Sequence, residues 1–406
     1  MRVRFRPRTV PECPNASVRE GGFEPPRPKT PAPKAGASAV PPLSRSRHGS
    51  RRGHGLGNDA SVTLTNRDIA ELLARRAEET EGPRQRAYRR SSAAAFLWPE
   101  QASAVLASGR PLTDLRYVGD RLAARISGWI EDPPEVPEPP PSRRGFLTLA
   151  DLAPHLDAAP NWRAELKADL QMHTVYSDGL STVGEMAEAT AALGYRHIAI
   201  TDHSSGQRIP QGMDEAAMVR QASEIADVNR DLDSRGVDLV VLRSIEMNLN
   251  PDGSGALEAE ALAPFELVIG SFHSMLRSDE DQTARYIAAL RNPNVDIIGH
   301  PRGRMYNRRG GLNADWRSVF EVALELDKAL EINANPARQD LQLELLELAR
   351  EMGIRLSIGT DSHSIPELEF VVFALGSALK AGIAMDRILN FLPLDQFHEW
   401  RAARPR

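Results

Sequence analysis

The sequence predicts an α/β protein: seven parallel strands closed, or nearly closed, into a barrel, preceded by a small all-helical domain and a disordered tail. Three observations lead there. Past residue 145, short apolar runs alternate with amphipathic helical stretches, the pattern of parallel strands joined by right-handed crossovers. Between residues 61 and 132 the apolar spacing is helical. An acidic proline-rich stretch, Asp132 to Ser142, separates the two. Seven runs favour a barrel over an open doubly wound sheet. No glycine-rich phosphate loop follows any run, which excludes a P-loop and a dinucleotide fingerprint.

The tail, residues 1–60, holds 12 Lys and Arg against 4 Asp and Glu, and 10 of the 30 prolines. With almost no periodic apolar pattern, it is expected to be disordered. It reads as a passenger or a misassigned start rather than as a nucleic-acid anchor. In the helical domain, residues 61–132, Ile69, Leu72 and Leu73 mark a first helix with Thr65 or Asn66 as N-cap. A second runs from Tyr88 to Leu97 and is ended by Pro99; shorter ones lie near 102–106 and 120–129. Residues 133–145 read as a stiff polyproline II spacer. The barrel, residues 146–406, has runs at Leu166–Gln171, His197–Thr201, Leu239–Glu246, Leu267–Phe272, Val295–Gly299, Ala329–Asn333 and Arg355–Gly359.

Composition narrows the setting. No apolar run of about 18 residues exists, so no membrane span is expected. The basic N-terminus runs into prolines rather than an apolar segment, which argues against a secretory signal. The single cysteine, Cys13, excludes an intramolecular disulfide and suits a reducing cytoplasm.

The chemistry sits where the strands end. The first run is followed by His173 and Ser177-Asp178-Gly179. The second ends in Thr201-Asp202-His203, the third in Glu246 and the fourth in Ser271-Phe272-His273. The fifth ends in Gly299-His300-Pro301 and the seventh in Thr360-Asp361-Ser362-His363. Five of the ten histidines therefore stand at strand C-termini, which in a parallel barrel open onto one face. Imidazoles and carboxylates converging on one rim imply a metal site. Nitrogen and oxygen donors without thiolate suit Zn²⁺, Mn²⁺ or Fe²⁺. Eight candidate ligands exceed one tetrahedral ion, so two or three ions are implied.

The segments ADLQMHTVYSDG, AITDHS, SIEMNLNPDGS, GSFHS, DIIGHPRGR, LEINANP and IGTDSHS, in this order, resemble the polymerase and histidinol phosphatase (PHP) domain. The likeness covers about residues 165–390 and is nearest to the copy at the C-terminus of bacterial family X DNA polymerases. It implies a distorted (β/α)7 barrel with a trinuclear metal centre. The implied ligands are His173, Asp178, His203, Glu246, His273, His300, Asp361 and His363, with Glu246 bridging two ions. Gln171 stands where the general family pattern has histidine, and an amide oxygen is the weaker donor; Asp169 could support it. Glu246, Asp361 and Arg304 are the residues expected to carry catalysis, Arg304 as a phosphate clamp from the Gly-His-Pro-x-Gly-Arg position. Arg302, Arg308 and Arg309 read as a solvated loop, and Arg208 is a further cation near the second strand. Asn333 and Asn335 could orient a ligand or serve only as turn residues.

Residues 64–130 resemble the small N-terminal DNA-binding domain of the same polymerases. The sequence from Leu115 to Ile126 looks like a helix-hairpin-helix, whose turn would offer backbone N–H groups to phosphate. The usual Pro-Gly-Ile-Gly turn reads Arg116-Tyr117-Val118-Gly119 here. Arg86, Arg89, Arg90 and Gly119 are the implied DNA contacts. No lysine lies between Lys34 and Lys167, which excludes Schiff-base lyase chemistry in this domain. The polymerase palm and fingers have no counterpart, so polymerase activity is not expected. The leading expectation is a PHP-type metal-dependent phosphoesterase acting on DNA 3′ ends, as exonuclease or 3′-phosphatase. The alternatives are a small-molecule phosphatase of histidinol-phosphatase type and a non-catalytic DNA-repair module.

Overall fold

The computed structural model describes residues 63–205 and 212–404. The expected tail, residues 1–60, and Arg208 lie outside them. Strands β1 (Ala168–Met172), β2 (His197–Ile200), β3 (Val240–Leu249), β4 (Leu267–Phe272), β5 (Ile297–Ile298), β6 (Ala329–Asn333) and β7 (Arg355–Gly359) pair in sequence order. Every neighbouring pair is parallel. The segment after β7 then bonds back to β1: Asp361 N–H donates to Gln171 O at 3.0 Å and His173 N–H to Ser362 O at 2.8 Å. The sheet is thus a nearly closed seven-stranded barrel.

One boundary moves. β3 runs past Glu246, because Met247, Asn248 and Leu249 stay in register with Gly270, Ser271 and Phe272 of β4. Glu246 is therefore held inside a strand rather than at a strand end. At the opposite mouth, Leu170, Ala199, Leu242, Ile269 and Ile297 pack with Leu389, Phe397 and Trp400. The C-terminal helix Leu394–Ala402 plugs that mouth with apolar side chains. The metal-ligand candidates lie at the other, strand C-terminal, face.

The helical part comprises α1 (Asn66–Glu78), α2 (Gly82–Ala95), α3 (Ala102–Ala107) and α4 (Asp120–Glu131). Thr65 caps α1 in a capping box with Asp68. α2 starts six residues before Tyr88, because Pro83 sits where a helix needs no N–H donor. Ile69, Leu73, Phe96, Trp98 and Ile126 form its core, which Phe146 completes and Tyr306, from the barrel, packs against.

The proline-rich stretch does not hang free. Arg143 is buried, with Nε and Nη2 on the two oxygens of Glu71 at 2.8 and 3.0 Å. Its Nη1 reaches Glu78 at 2.6 Å and Asn307 Oδ1, beyond β5, at 2.8 Å. A buried guanidinium needs such partners, and they join helices and barrel into one compact unit, Thr63–Arg406. Among the described residues no helix is long and apolar enough to cross a membrane.

Candidate metal centre

The loop after β1 carries His173 and Asp178. It turns back so tightly that a Cβ on Gly179 would lie 2.5 Å from His173 O. Glycine is needed for that approach. Asp202, at the end of β2, accepts from Thr174 N–H (2.7 Å), Thr174 Oγ1 (2.5 Å), Ser177 Oγ (2.5 Å) and Gln221 Nε2 (2.7 Å). Saturated in this way, it ties the first loop to neighbouring His203.

All eight expected ligands converge. Glu246 is buried at the centre. One carboxylate oxygen faces His203 Nδ1 at 3.1 Å and His173 Nε2 at 3.5 Å. The other faces His300 Nε2 at 2.8 Å and His273 Nε2 at 3.4 Å. Asp178 Oδ1 lies 3.3 Å from His363 Nε2 and 3.6 Å from His203 Nε2. Asp361 Oδ1 lies 3.2 Å from His173 Nε2. Two groups have donor atoms within 4.8 Å of one another: His173, Asp178, His203 and His363; and His203, Glu246 and His273.

Outer partners aim these rings. Asn248 Oδ1 lies 2.6 Å from His273 Nδ1, and the Asp361 carbonyl 2.8 Å from His363 Nδ1, which turns each Nε2 toward a carboxylate. His300 and Asp361 have φ of 26° and 53°. Such left-handed backbone costs about 1–3 kcal/mol per residue and persists only where surroundings fix it. Here Glu331 accepts the His300 N–H and the Gln171 carbonyl accepts the Asp361 N–H.

The electrostatics are those of a coupled site. Burial opposes the charge on Asp178 and Glu246, yet the surrounding imidazoles hold both well below the usual carboxylate range. Burial alone would lower His363, but its hydrogen bond to Asp178 and the charges of Asp361 and Asp178 push it up to about 10. Five imidazole nitrogens of the cluster (both of His173, His203 Nδ1, His273 Nε2 and His300 Nδ1) are buried without a hydrogen bond. Unsatisfied buried polar atoms cost about 1–3 kcal/mol each. Lone pairs facing shared carboxylates, with no thiolate, fit divalent cations.

Arg304 is elsewhere. Its side chain is buried over the Phe146 ring, 3.9 Å from the centroid, and donates to Gln342 Oε1 at 2.9 Å and Arg144 O at 2.7 Å. The planar fork that suggested a phosphate clamp holds the seam between barrel and proline-rich stretch instead. Arg302 is similarly engaged, by Leu312 O and Gln342. Gln171 faces Glu331 rather than the ligands, its amide nitrogen donating to the Glu331 carboxylate. Asp169 stitches β1 to the Thr360 N–H and hydroxyl at 3.1 and 2.6 Å. Asn333 donates to Asp361 and Glu331 at 3.2 Å each, whereas Asn335 only caps its own turn.

Two residues were missed by sequence reasoning. Arg338 places Nε 2.9 Å from Asp361 Oδ2. Glu331 is buried beside Asp361, and burial first, then that charge, pushes it well above the ordinary value. Glu331 lies inside LEINANP and Arg338 two residues past it; that was the one quoted segment without a ligand, and it was the only signal.

On the helical part, Arg90 and Arg116 lie 4.7 and 4.9 Å from the centroid of Tyr117, in the turn before Gly119. Gly119 is the N-cap of α4 and faces open space. Arg86 and Arg89 are exposed on α2.

Residues 169–335 match the family model of the PHP domain, so the chain carries that domain on this barrel. It is 37% identical over 227 residues to the DNA polymerase/3′-5′ exonuclease PolX of Bacillus subtilis, covering 56% of this chain but only 39% of that protein. It is 29% identical over 249 residues to the probable phosphatase YcdX of Escherichia coli, covering 58% of this chain and 96% of that one. The solved histidinol phosphate phosphatase of Lactococcus lactis, complexed with zinc, L-histidinol and phosphate, is 18% identical with a TM-score of 0.42, over 54% of this chain and 95% of that one.

Proposed function

We propose that this PHP-domain protein is a metal-dependent phosphoesterase that hydrolyses phosphate esters at nucleic-acid 3′ ends. The observation that carries the reading is the placement of Glu246, whose two oxygens each face a separate pair of imidazoles. Such a carboxylate would be placed to serve two cations at once. His173, Asp178, His203 and His363 would hold one ion and Glu246, His273 and His300 another, with Asp361 beside His173. Zinc, manganese and iron all suit this donor set, and two or three ions are expected. When bound, such ions supply Lewis-acid activation of a phosphoryl oxygen and of water.

The chain's own residues do the rest. Asp202 and Asn248 fix loop and ring positions, so the ligands need little reorganisation. Asp361 is oriented by Asn333 and Arg338. The nucleic-acid preference rests on the likeness to the polymerase and on the exposed arginine face of α2. A small-molecule phosphatase is the second reading, favoured by relatives named as probable phosphatases that align over nearly their whole length. A cytoplasmic setting is in keeping with the single cysteine.

The test is Mn²⁺- and Zn²⁺-dependent release of p-nitrophenol from p-nitrophenyl phosphate and of nucleotides from single-stranded DNA. Activity on both that EDTA abolishes is expected. Activity on the phosphomonoester alone would leave the second reading; none on either, with metal bound, would overturn both.

A further inference from the structure

The loops after β4, β5 and β6 are stitched together beside the metal centre. Gly303 lies so close to Leu276 that a Cβ would stand 2.7 Å from Leu276 Cδ2. Tyr306 N–H donates to Ala337 O at 2.7 Å, and Arg302 N–H to the Asp340 carboxylate at 2.9 Å. Arg309 is anchored twice, by a bridge to Met305 and by Nε on the Gly303 carbonyl. These contacts bring together three loops that carry four arginines: Arg277, Arg308, Arg309 and Arg338.

Burial first, then the charges of Arg338, Arg277 and Arg308, push Arg309 down to about 10, with Asp340 acting the other way. Arg309 and Arg338 are half-buried, Arg277 and Arg308 exposed. Among the described residues Arg277, Arg308 and Arg309 form no ion pair. Arg338 does, with Asp361, and through it the group reaches the metal centre. The barrel as a whole is acidic: residues 133–406 carry about −14 by sequence. Gathering four like charges opposes folding unless an anion or water offsets them. Guanidinium forks match phosphate oxygens in pairs.

We propose that Arg277, Arg308, Arg309 and Arg338 form an anion subsite next to the metal centre that grips the phosphate adjoining the scissile one, so that the substrate is the end of a phosphodiester chain. This rests on the phosphoesterase reading and deepens it. Arg338, bonded to Asp361 by Nε, joins the two subsites. The cations that recognise phosphate are then on the loops after β4, β5 and β6, with Arg304 behind them in the seam.

The experiment uses the full chain in EDTA and a fluorescein-labelled thymidine trinucleotide, followed by anisotropy across a salt series, with inorganic phosphate and pyrophosphate as competitors. R277E/R308E should weaken binding at least tenfold and lower the salt slope by about 1.4, near 0.7 for each single-strand phosphate contact. Both residues are exposed, so the variant should fold; R277Q/R308Q, with a smaller loss, guards against misfolding. Pyrophosphate should compete better than phosphate. Trinucleotide affinity within twofold of wild type in R277E/R308E, or a loss reproduced by R86E/R89E, overturns the subsite. With Mn²⁺ restored, the kcat/KM ratio of trinucleotide over p-nitrophenyl phosphate should fall tenfold in R277E/R308E. An unchanged ratio sinks the subsite and leaves the phosphoesterase reading standing. A wild-type protein inert on both substrates sinks that reading, while the metal-free titration still decides the subsite.

Discussion

The barrel rim and the outer face of α2 both collect charged side chains, and they differ in what holds them. At the rim, His173, His203, Glu246 and Asp361 are buried, and neighbouring charges set the electrostatics of His203, Glu246 and Asp361. On α2, Arg84, Arg86, Arg89 and Arg90 are exposed, and of these four Arg90 lies over a ring, that of Tyr117. A buried ion must be compensated by a matching group, so its position is over-determined. An exposed arginine needs only water, so its position says little about purpose. The rim is a built site; the α2 face is a charged surface, and experiments can separate the two by the size of their effects.

The largest effect is expected at Glu246. In Glu246→Gln the carboxylate charge facing four imidazoles is gone. Hydrolysis should drop on the order of 100- to 1,000-fold, as when one preorganised electrostatic group is removed. Metal content measured by mass spectrometry should fall with it. Near-normal turnover with full metal content would remove Glu246 from the centre.

Next comes the seam that joins the two regions. Arg143→Ala removes one of the two guanidinium partners of buried Glu71, which keeps Arg75 at 2.8 Å, so the loss should fall below the roughly 3–5 kcal/mol of a fully broken buried pair. Because Arg143 bonds helices and barrel alike, the helical part should melt before the barrel, giving two calorimetric transitions where the parent gives one. A single unshifted transition would mean that the seam contributes nothing.

The sequence disclosed the rim far better than the seam, for a physical reason. Metal ligands are rare residue types at strand ends, so His173, His203, His273, His300 and His363 stand out against a regular strand–helix alternation. β3 continues past the expected end at Glu246 through the polar pair Asn248–Ser271, where the continuous apolar run of the sequence breaks. Arg143 and Arg304 look like any loop arginine; only packing shows that Glu71 and Phe146 meet them. Arg338 was hidden likewise, since its partner Asp361 is 23 residues away in sequence.

A control lies at the opposite mouth of the barrel. His197 starts β2, is fully buried against Phe397, and forms no ion pair among the described residues. Burial first, then the charges of His398 and Lys167, push it down to about 4 from 6.5. The folded state therefore keeps His197 neutral while the unfolded chain protonates near 6.5. Its contribution to stability is fully present above pH 6.5 and is lost as pH falls toward 4, by about 3 kcal/mol at the limit. Urea midpoints at pH 7 and 4.5 should show this fall, and His197→Leu should reduce it. An identical pH dependence in His197→Leu would assign the loss to other groups.

The smallest effects belong to the α2 face. Arg86→Ala and Arg89→Ala remove exposed side chains, so stability should stay within about 0.5 kcal/mol. Release of p-nitrophenol should not change, because neither residue lies near Glu246. If α2 meets DNA, each substitution should raise KM on a long single strand and lower the salt slope by about 0.7, since a phosphate contact is made equally in ground and transition states. Cleavage of a trinucleotide, the shorter probe, should change less than that of the long strand. Unaltered KM and salt slope on the long strand would leave α2 as a solvated surface, and with it the likeness of Leu115–Ile126 to a DNA-binding hairpin would lose its functional meaning. The seam would then be what the helical part is for: through Arg143, Phe146 and the Tyr306–Ser92 hydroxyl contact at 2.9 Å, it braces the loop after β5 that presents Arg308 and Arg309.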